Sequence, residues 1–237
     1  MIIFDGRGIL LDVEGTTSSL SFVHDVLFDH ARRNVGDFLA RNRGAADVRA
    51  AAAGLAAAAG LPADTLDAAE GPMRLALAAI GMIDRDVKDT ALKTLQGLIW
   101  RGGYESGEIR AHVFDDVPAA LERWTDSGLD VRIFSSGSIE AQRLFFAHTV
   151  HGDLTPHLGG HYDTTTGPKR EPASYVRIAA DMGLEPRRIL FVSDVGPELD
   201  AARGAGMATA LADRPGNPDP GGIFAHEAVT SFADIVT

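Results

Sequence analysis

Residues 9–17 read Ile-Leu-Leu-Asp-Val-Glu-Gly-Thr-Thr. An apolar run leads straight into two acids one residue apart, and a turn follows. Side chains alternate along a strand, so Asp12 and Glu14 are expected on one side of its carboxyl end. Two carboxylates there could hold a cation between them. One could also attack an electrophile while the other carries a proton. Gly15 would let the backbone bend so that the pair and nearby amides converge. An acid at a strand end can equally cap a helix or close a turn, so the pair takes its meaning from what accompanies it.

Three later segments supply what such a site lacks. Ser135 and Ser136, in Phe-Ser-Ser-Gly-Ser, end a second apolar run; a hydroxyl and amide N–H groups at a strand-to-helix junction suit a phosphate, or simply cap the next helix. Lys169, in Thr-Gly-Pro-Lys-Arg-Glu, could balance phosphate and Asp12, with Arg170 as its neighbouring competitor. Asp194 ends the run Ile-Leu-Phe-Val-Ser and is placed by analogy with Asp12 to complete an oxygen-rich cation site, for which magnesium is the favoured ion. Glu198, four residues on, could hold a metal-bound water, orient Lys169 or make a structural salt bridge. The order of these parts is the stronger signal: acid pair, Ser-Ser-Gly, lysine, acid, with each motif near a strand. Asp12 is the candidate nucleophile, and Glu14 the candidate acid for the leaving oxygen and base for water. His148, His151, His157 and His161 lie close together but form no HxH or HExxH pattern, and a polar loop is preferred to a zinc site.

The elements that must position these residues are legible as four short apolar runs, 9–13, 131–135, 189–192 and 208–211. Near them lie helical patterns with recognisable ends. Asp116 and Pro118 open one helix and Gly128 closes it; a second follows Ser138 toward Ala147. A third runs from about Pro172 to Met182 and stops at Gly183, and Pro197 begins a fourth that ends at Gly204 or Gly206. This alternation predicts an α/β, doubly wound, Rossmann-like core with a mainly parallel sheet, whose ligands bind beyond the carboxyl ends of the strands. Residues 22–107 contain no convincing strand. Val23, Val26, Leu27 and Ala31 recur at helical spacing, as do Leu75, Ala79 and Ile80, and 45–59 is dominated by alanine. This block reads as an α-helical cap (22–107) inserted into a core made of 1–21 and 108–237; ordinary core helices are the alternative. The stretch 215–222 reads as a turn-rich loop.

The net charge of −11 argues against nonspecific nucleic-acid binding. If the substrate is an anion, a metal ion, a lysine and helix N-termini must overcome that field. The absence of cysteine removes disulfides, thiolate catalysis and Cys-ligated zinc. No apolar run is long enough to span a bilayer and no secretory signal is apparent, so a cytoplasmic enzyme without a membrane partner is expected.

The chain resembles the haloacid dehalogenase (HAD) superfamily of aspartate-nucleophile phosphatases and, more closely, the magnesium-dependent enolase-phosphatases of methionine salvage. The resemblance rests on Leu-Asp-Val-Glu-Gly-Thr-Thr, Phe22-Val23-His24-Asp25-Val26-Leu27-Phe28, Thr90-Ala91-Leu92-Lys93-Thr94-Leu95-Gln96-Gly97, Ser135-Ser136-Gly137-Ser138-Ile139-Glu140-Ala141-Gln142 and Ser193-Asp194-Val195. Asp-x-Glu is informative because the wider superfamily usually has Asp-x-Asp, and Leu-Gln-Gly lies in the expected cap. The resemblance implies conversion of 2,3-diketo-5-methylthiopentyl 1-phosphate to an acireductone by enolisation and then dephosphorylation. It implies Mg2+ on Asp12, Glu14 and Asp194, with Glu14 contributing its backbone carbonyl. It further implies phosphate held by Ser135, Ser136 and Lys169, a cap that closes over the site, and a monomer. Three other readings stand beside it: a general phosphatase of small sugar phosphates, a phosphotransferase, and a non-catalytic domain that binds a phosphorylated metabolite.

Overall fold

A run that is apolar on both faces belongs at the centre of a sheet, where neither face meets water. The segment Gly8–Leu11 takes that place, and all four of its residues are buried. The computed structural model describes residues 1–85, 87–218 and 225–237. In chain order these form strands β1 (Ile2–Ile3) and β2 (Gly8–Leu11), then a π-helical segment (Phe22–Phe28) that runs into α1 (Asp29–Arg41). Helices α2 (Ala46–Ala58), α3 (Gly71–Asp84), α4 (Thr90–Ser106) and α5 (Val117–Asp126) follow. Strand β3 (Asp130–Phe134), helix α6 (Ile139–Ala147), strand β4 (Gly160–Tyr162) and helix α7 (Pro172–Met182) come next. The chain closes with β5 (Ile189–Ser193), α8 (Gly196–Gly204), β6 (Ala208–Ala212), β7 (Glu227–Val229) and β8 (Ile235–Val236).

Six strands form one parallel sheet in the order β4-β3-β2-β5-β6-β7. Strand β2 pairs with β3 from Gly8↔Asp130 to Leu11↔Ile133 and with β5 from Gly8↔Ile189 to Leu11↔Val192. The chain therefore leaves β2 toward one side and later returns to its other side. In an open α/β sheet this makes the carboxyl end of β2 a topological switch point, where such folds bind ligands. On one face Leu10, Phe134 and Phe191 pack with Tyr175 and Ile178 of α7 and Leu199 of α8. Ile9 and Leu11, which alternation sends to the opposite face, are equally inaccessible. The chain's fold is thus α/β, with helices covering a parallel sheet.

The contacts divide the chain into two compact units, Met1–Phe22 with Arg110–Thr237, and Val23–Ile109. The second is helical. Its core is built from Val35 and Leu39 of α1, Leu55 of α2, Leu75 and Ala79 of α3, and Leu92 and Leu95 of α4. The alanine-rich α2 works by close approach: a Cβ on Gly54 would stand 2.8 Å from the Cβ of Ala91.

Several local readings need correction. Strand β2 ends at Leu11 and not at residue 13, so strand alternation does not carry through to Glu14. Asp116 makes no capping hydrogen bond to α5; its carboxylate binds Arg214 instead. Strands β4 and β7 fall outside the four apolar runs: each has three residues and no apolar run to announce it. The β1–β8 pair, Ile2↔Ile235 and Ile3↔Val236 in parallel, also lies outside those runs. Of the 215–222 loop, residues 215–218 are described and the rest lies outside the described residues.

Candidate active site

Asp12 is the first residue beyond β2. Its N–H still donates to the carbonyl of Val192 at 3.0 Å, which fixes the backbone while the side chain turns away into the protein. That side chain is buried. Lys169, buried as well, donates from Nζ to Asp12 Oδ1 at 2.7 Å and to Glu198 Oε2 at 2.6 Å. The lysine reaches this position because the Tyr175 hydroxyl of α7 holds its backbone carbonyl at 2.6 Å, and its Nζ passes 5.7 Å from the Phe134 ring centroid. Ser193 Oγ lies 3.3 Å from Asp12 Oδ2 and 3.4 Å from Glu198 Oε2, and accepts the Val195 N–H at 3.1 Å. Burial alone would push the lysine toward the neutral form. The charges of Asp12 and Glu198 outweigh it and hold the ammonium protonated, above its ordinary range. Burial, and then the charge of Asp12, raises the Glu198 carboxyl.

Beyond Asp12 the chain turns back on itself, with the N–H groups of Thr16, Thr17 and Ser18 all converging on the Val13 carbonyl. Gly15 sits at φ +79°, in the left-handed region, and a Cβ there would stand 2.1 Å from Asp194 Oδ2. Only glycine allows both the turn and the close approach of that carboxylate. The Asp194 N–H donates to Thr16 Oγ1 at 3.0 Å, which ties the end of β5 to the same turn. Asp194 Oδ1 is buried without a hydrogen-bond partner. Burial first, then the charge of Asp12, pushes this carboxyl up to about 7.

An orphaned buried carboxylate oxygen calls for an explanation. A hard divalent cation would supply one, because the acceptors here are carboxylate oxygens and Lys169 bonds only those of Asp12 and Glu198. The residues present fit magnesium in that sense. They do not form a ready-made ligand set of three side chains: among the described residues no group of three His, Cys, Asp or Glu is arranged to hold a metal. Asp12 is buried and Glu14 exposed, so the two acids do not share one environment.

The two serines end β3, the strand beside β2. Ser135 is buried; its N–H donates to the Tyr162 carbonyl at 3.1 Å and its Oγ accepts the Gly137 N–H at 3.2 Å. Ser136 is exposed. Neither caps α6. Ser138 does so, accepting the Ala141 N–H at 3.2 Å, and this removes the capping explanation for the serine pair. Gln142 braces the loop from behind, with Nε2 donating to the Gly137 carbonyl at 2.8 Å and to the Tyr162 carbonyl at 2.9 Å.

The structure therefore bonds Asp12, Lys169 and Glu198 directly, brings Asp194 against Gly15, and sets Ser135 at the end of the adjacent strand. Sequence reasoning missed Ser193, Thr16, Tyr175 and the bracing role of Gln142; a hydroxyl next to a motif acid was the available signal for Ser193. The four clustered histidines go separate ways: His148 Nδ1 lies 2.9 Å from the Leu144 carbonyl, His151 Nε2 3.3 Å from Asp115, His157 Nδ1 3.1 Å from Thr125 Oγ1, and His161 Nδ1 3.3 Å from Gln142 Oε1.

Comparison with known proteins identifies the family. The model of the haloacid dehalogenase-like hydrolases matches residues 6–206. Enolase-phosphatase E1 of Sorangium cellulosum (strain So ce56) is 48% identical over 216 residues, covering 91% of each chain. Enolase-phosphatase E1 of Synechococcus elongatus (strain ATCC 33912 / PCC 7942 / FACHB-805) is 49% identical over 219 residues, 88% of this chain and 89% of the relative. Among solved structures, the UTR4 protein of Saccharomyces cerevisiae superposes with a TM-score of 0.80 at 32% identity, covering 97% of this chain and all of the other. A dehalogenase at 19% identity and TM-score 0.56 shares the fold alone. Together with an aspartate set beside a buried lysine at the sheet's switch point, these relationships show that the chain belongs to the haloacid dehalogenase-like hydrolases and, among them, to the enolase-phosphatase E1 family.

Proposed function

We propose that this protein is a magnesium-dependent enolase-phosphatase that converts 2,3-diketo-5-methylthiopentyl 1-phosphate to acireductone and phosphate in methionine salvage. The observation that carries the reading is the buried Asp12–Lys169–Glu198 chain, with 2.7 Å and 2.6 Å contacts at its two links. The names of the relatives support the same activity.

Lys169 occupies Asp12 Oδ1, so Oδ2, which has only the longer contact to Ser193, is the oxygen directed at phosphorus. Its attack forms an aspartyl-phosphate and breaks the ester P–O bond, and the leaving oxygen takes a proton from Glu14. Glu14 then takes a proton from the water that attacks the aspartyl-phosphate, restoring Asp12 and releasing phosphate. Ser135, Ser136 and the Lys169 ammonium hold the phosphoryl oxygens, and the lysine's fixed charge meets the charge that develops on them. Asp12, the Glu14 carbonyl and Asp194 would hold magnesium, which when bound neutralises phosphate charge and polarises an oxygen of the diketone. A cytoplasmic monomer acting on a small phosphorylated substrate, without nucleic acid or membrane, completes the reading. Among the described residues no helix is long and apolar enough to cross a membrane.

The direct test is an assay on the diketone phosphate that reads the enol by ultraviolet absorbance and free phosphate separately, with and without magnesium. Both signals are expected, the enol first, and both stop with a chelator. Phosphate without any enol would reduce the protein to a phosphatase. A product that keeps its phosphate on another sugar would make it a phosphotransferase.

A further inference from the structure

The turn after β6 reaches back to the loop that carries the nucleophile. Its starting point is the residue Arg214. Arg214 is buried; Nη1 donates to Asp116 Oδ2 at 2.9 Å and to the Thr230 carbonyl at 3.2 Å, and Nη2 donates to Asp116 Oδ1. Its guanidinium lies 4.2 Å from the Phe114 ring centroid and 4.7 Å from that of Phe232. From this anchor the chain makes a tight turn: Pro215 comes first, Gly216 follows at φ +84°, and the Asn217 N–H closes on the Arg214 carbonyl at 3.2 Å. Proline at the first central position and a left-handed glycine at the second define a type II turn.

The turn delivers one side chain, the amide of Asn217. Its Nδ2 donates to the Gly15 carbonyl at 3.1 Å and its Oδ1 accepts the Leu20 N–H at 3.1 Å. The two contacts fix the orientation of the amide, because exchanging its O and N would set acceptor against acceptor and donor against donor. One planar group thus closes both ends of the 15–20 segment. Gly15 is the residue whose Cα must stay against the Asp194 carboxylate, and Thr16, next to it, holds the Asp194 N–H.

We infer that Asn217 is a positioning residue. It holds the 15–20 turn so that Asp12, Gly15 and Asp194 keep the relative placement that a bound cation and phosphorus attack require. The activity arm of its test rests on the proposed phosphatase reading; the metal arm does not. Asn217 touches neither Asp12 nor the serine loop, so its effect belongs in kcat and in magnesium affinity, and not in KM.

The experiment compares wild type, Asn217→Ala and Asn217→Asp. The aspartate keeps the shape and the acceptor for Leu20 but cannot donate to the Gly15 carbonyl, and it covers the case in which the alanine variant fails to fold. Three quantities are read: phosphate release per folded molecule, magnesium affinity by calorimetry with the metal alone, and hydrogen exchange of the Leu20 amide without metal. A displacement of about an ångström at a reacting group costs up to about a hundredfold in rate. The expectation is a kcat loss of about tenfold or more in both variants, with KM within about twofold. Magnesium should bind several-fold more weakly in both, and Leu20 exchange should be faster in Asn217→Ala. Folded variants with kcat and magnesium affinity within about twofold of wild type would overturn the inference. So would a lower melting temperature as the only change, since that is a structural role. If wild type itself releases no phosphate, the functional reading fails, and the magnesium titration alone decides whether Asn217 shapes the pocket.

Discussion

The Met1–Phe22 and Arg110–Thr237 unit buries two charged clusters, and they are built to opposite rules. Around Arg214, the Asp116 carboxylate receives two guanidinium donors, the Ser231 hydroxyl at 2.8 Å and the Phe232 N–H at 2.6 Å. Burial works against the charged form of Asp116. These donors outweigh it and hold the carboxyl below its ordinary range, leaving only Arg214 Nε without a partner in the pair. Around Lys169, one ammonium serves Asp12 and Glu198, a third carboxylate at Asp194 has an orphaned oxygen, and two of the three acids are pushed up. The first cluster is a balanced pair that fastens the chain's last segment. The second is unbalanced toward negative charge, which the proposed cation would offset. Burial alone did not separate structure from function here; the count of donors against acceptors did.

The contrast is broken most severely at Asp12. Asp12→Asn removes the attacking oxygen, and loss of a covalent nucleophile costs far more than loss of a binding contact, so turnover is expected to fall by at least about a thousandfold. Circular dichroism should remain that of the folded protein, and retained phosphate release in a clean preparation would contradict the assignment. Asp116→Ala does the reverse. It strands a buried guanidinium, which costs about 3–5 kcal/mol of stability in urea titrations. The effect on kcat per folded molecule should be much smaller than at Asp12. Equal effects of the two variants on stability would erase the distinction between the clusters.

Asp194→Asn removes one acid from the crowded cluster. Magnesium affinity should drop by about a hundredfold, at the upper end of what a lost metal-site contact costs. The metal-free protein should be no less stable than wild type, because the removed carboxyl was disfavoured. The effect of pH is graded, and near neutrality it is the smallest. Asp194 is raised from 3.8 to about 7 by burial and by the Asp12 charge. Its folded form therefore binds a proton more tightly than the unfolded chain does. That contribution is complete below pH 3.8 and is lost as pH rises through about 7, so the metal-free protein loses stability across this window. Magnesium must displace the proton, and its affinity should weaken about tenfold per pH unit below about 7. Thermal melts with chelator and with magnesium at either end of the window test both signs. In Asp194→Asn this dependence should be greatly reduced.

The parts of this arrangement that sequence revealed are those written in local pattern. Apolar runs ending in Asp12, Ser135 and Asp194 marked strand ends, because a strand buried on both faces must be apolar until it reaches the ligand edge. Gly183 and Ser138 marked helix ends by backbone and side-chain chemistry that acts within a few residues. What sequence did not reveal is held by long-range partners. Asn217 meets Gly15 across a gap of 202 positions, whereas Glu198, for which contact with Lys169 is one of the sequence readings, meets it across 29. Neither spacing leaves a periodic trace. Asp116 does stand at the start of α5, but its carboxylate is spent on Arg214 and not on the helix. An acid before a proline looks like a helix start, and only the fold brings Arg214 to it. The Asp12–Glu14 pair was read from strand alternation, which lapses where β2 ends at Leu11.

The central claim is that the Asp12 carboxylate takes the phosphoryl group. Acid quenching during turnover, borohydride reduction of any acyl phosphate and mass analysis of the peptides test it directly. The account predicts reduction of residue 12 to homoserine, dependent on substrate and absent from Asp12→Asn. Full-rate phosphate release with Asp12 unmodified at every quench time would contradict it.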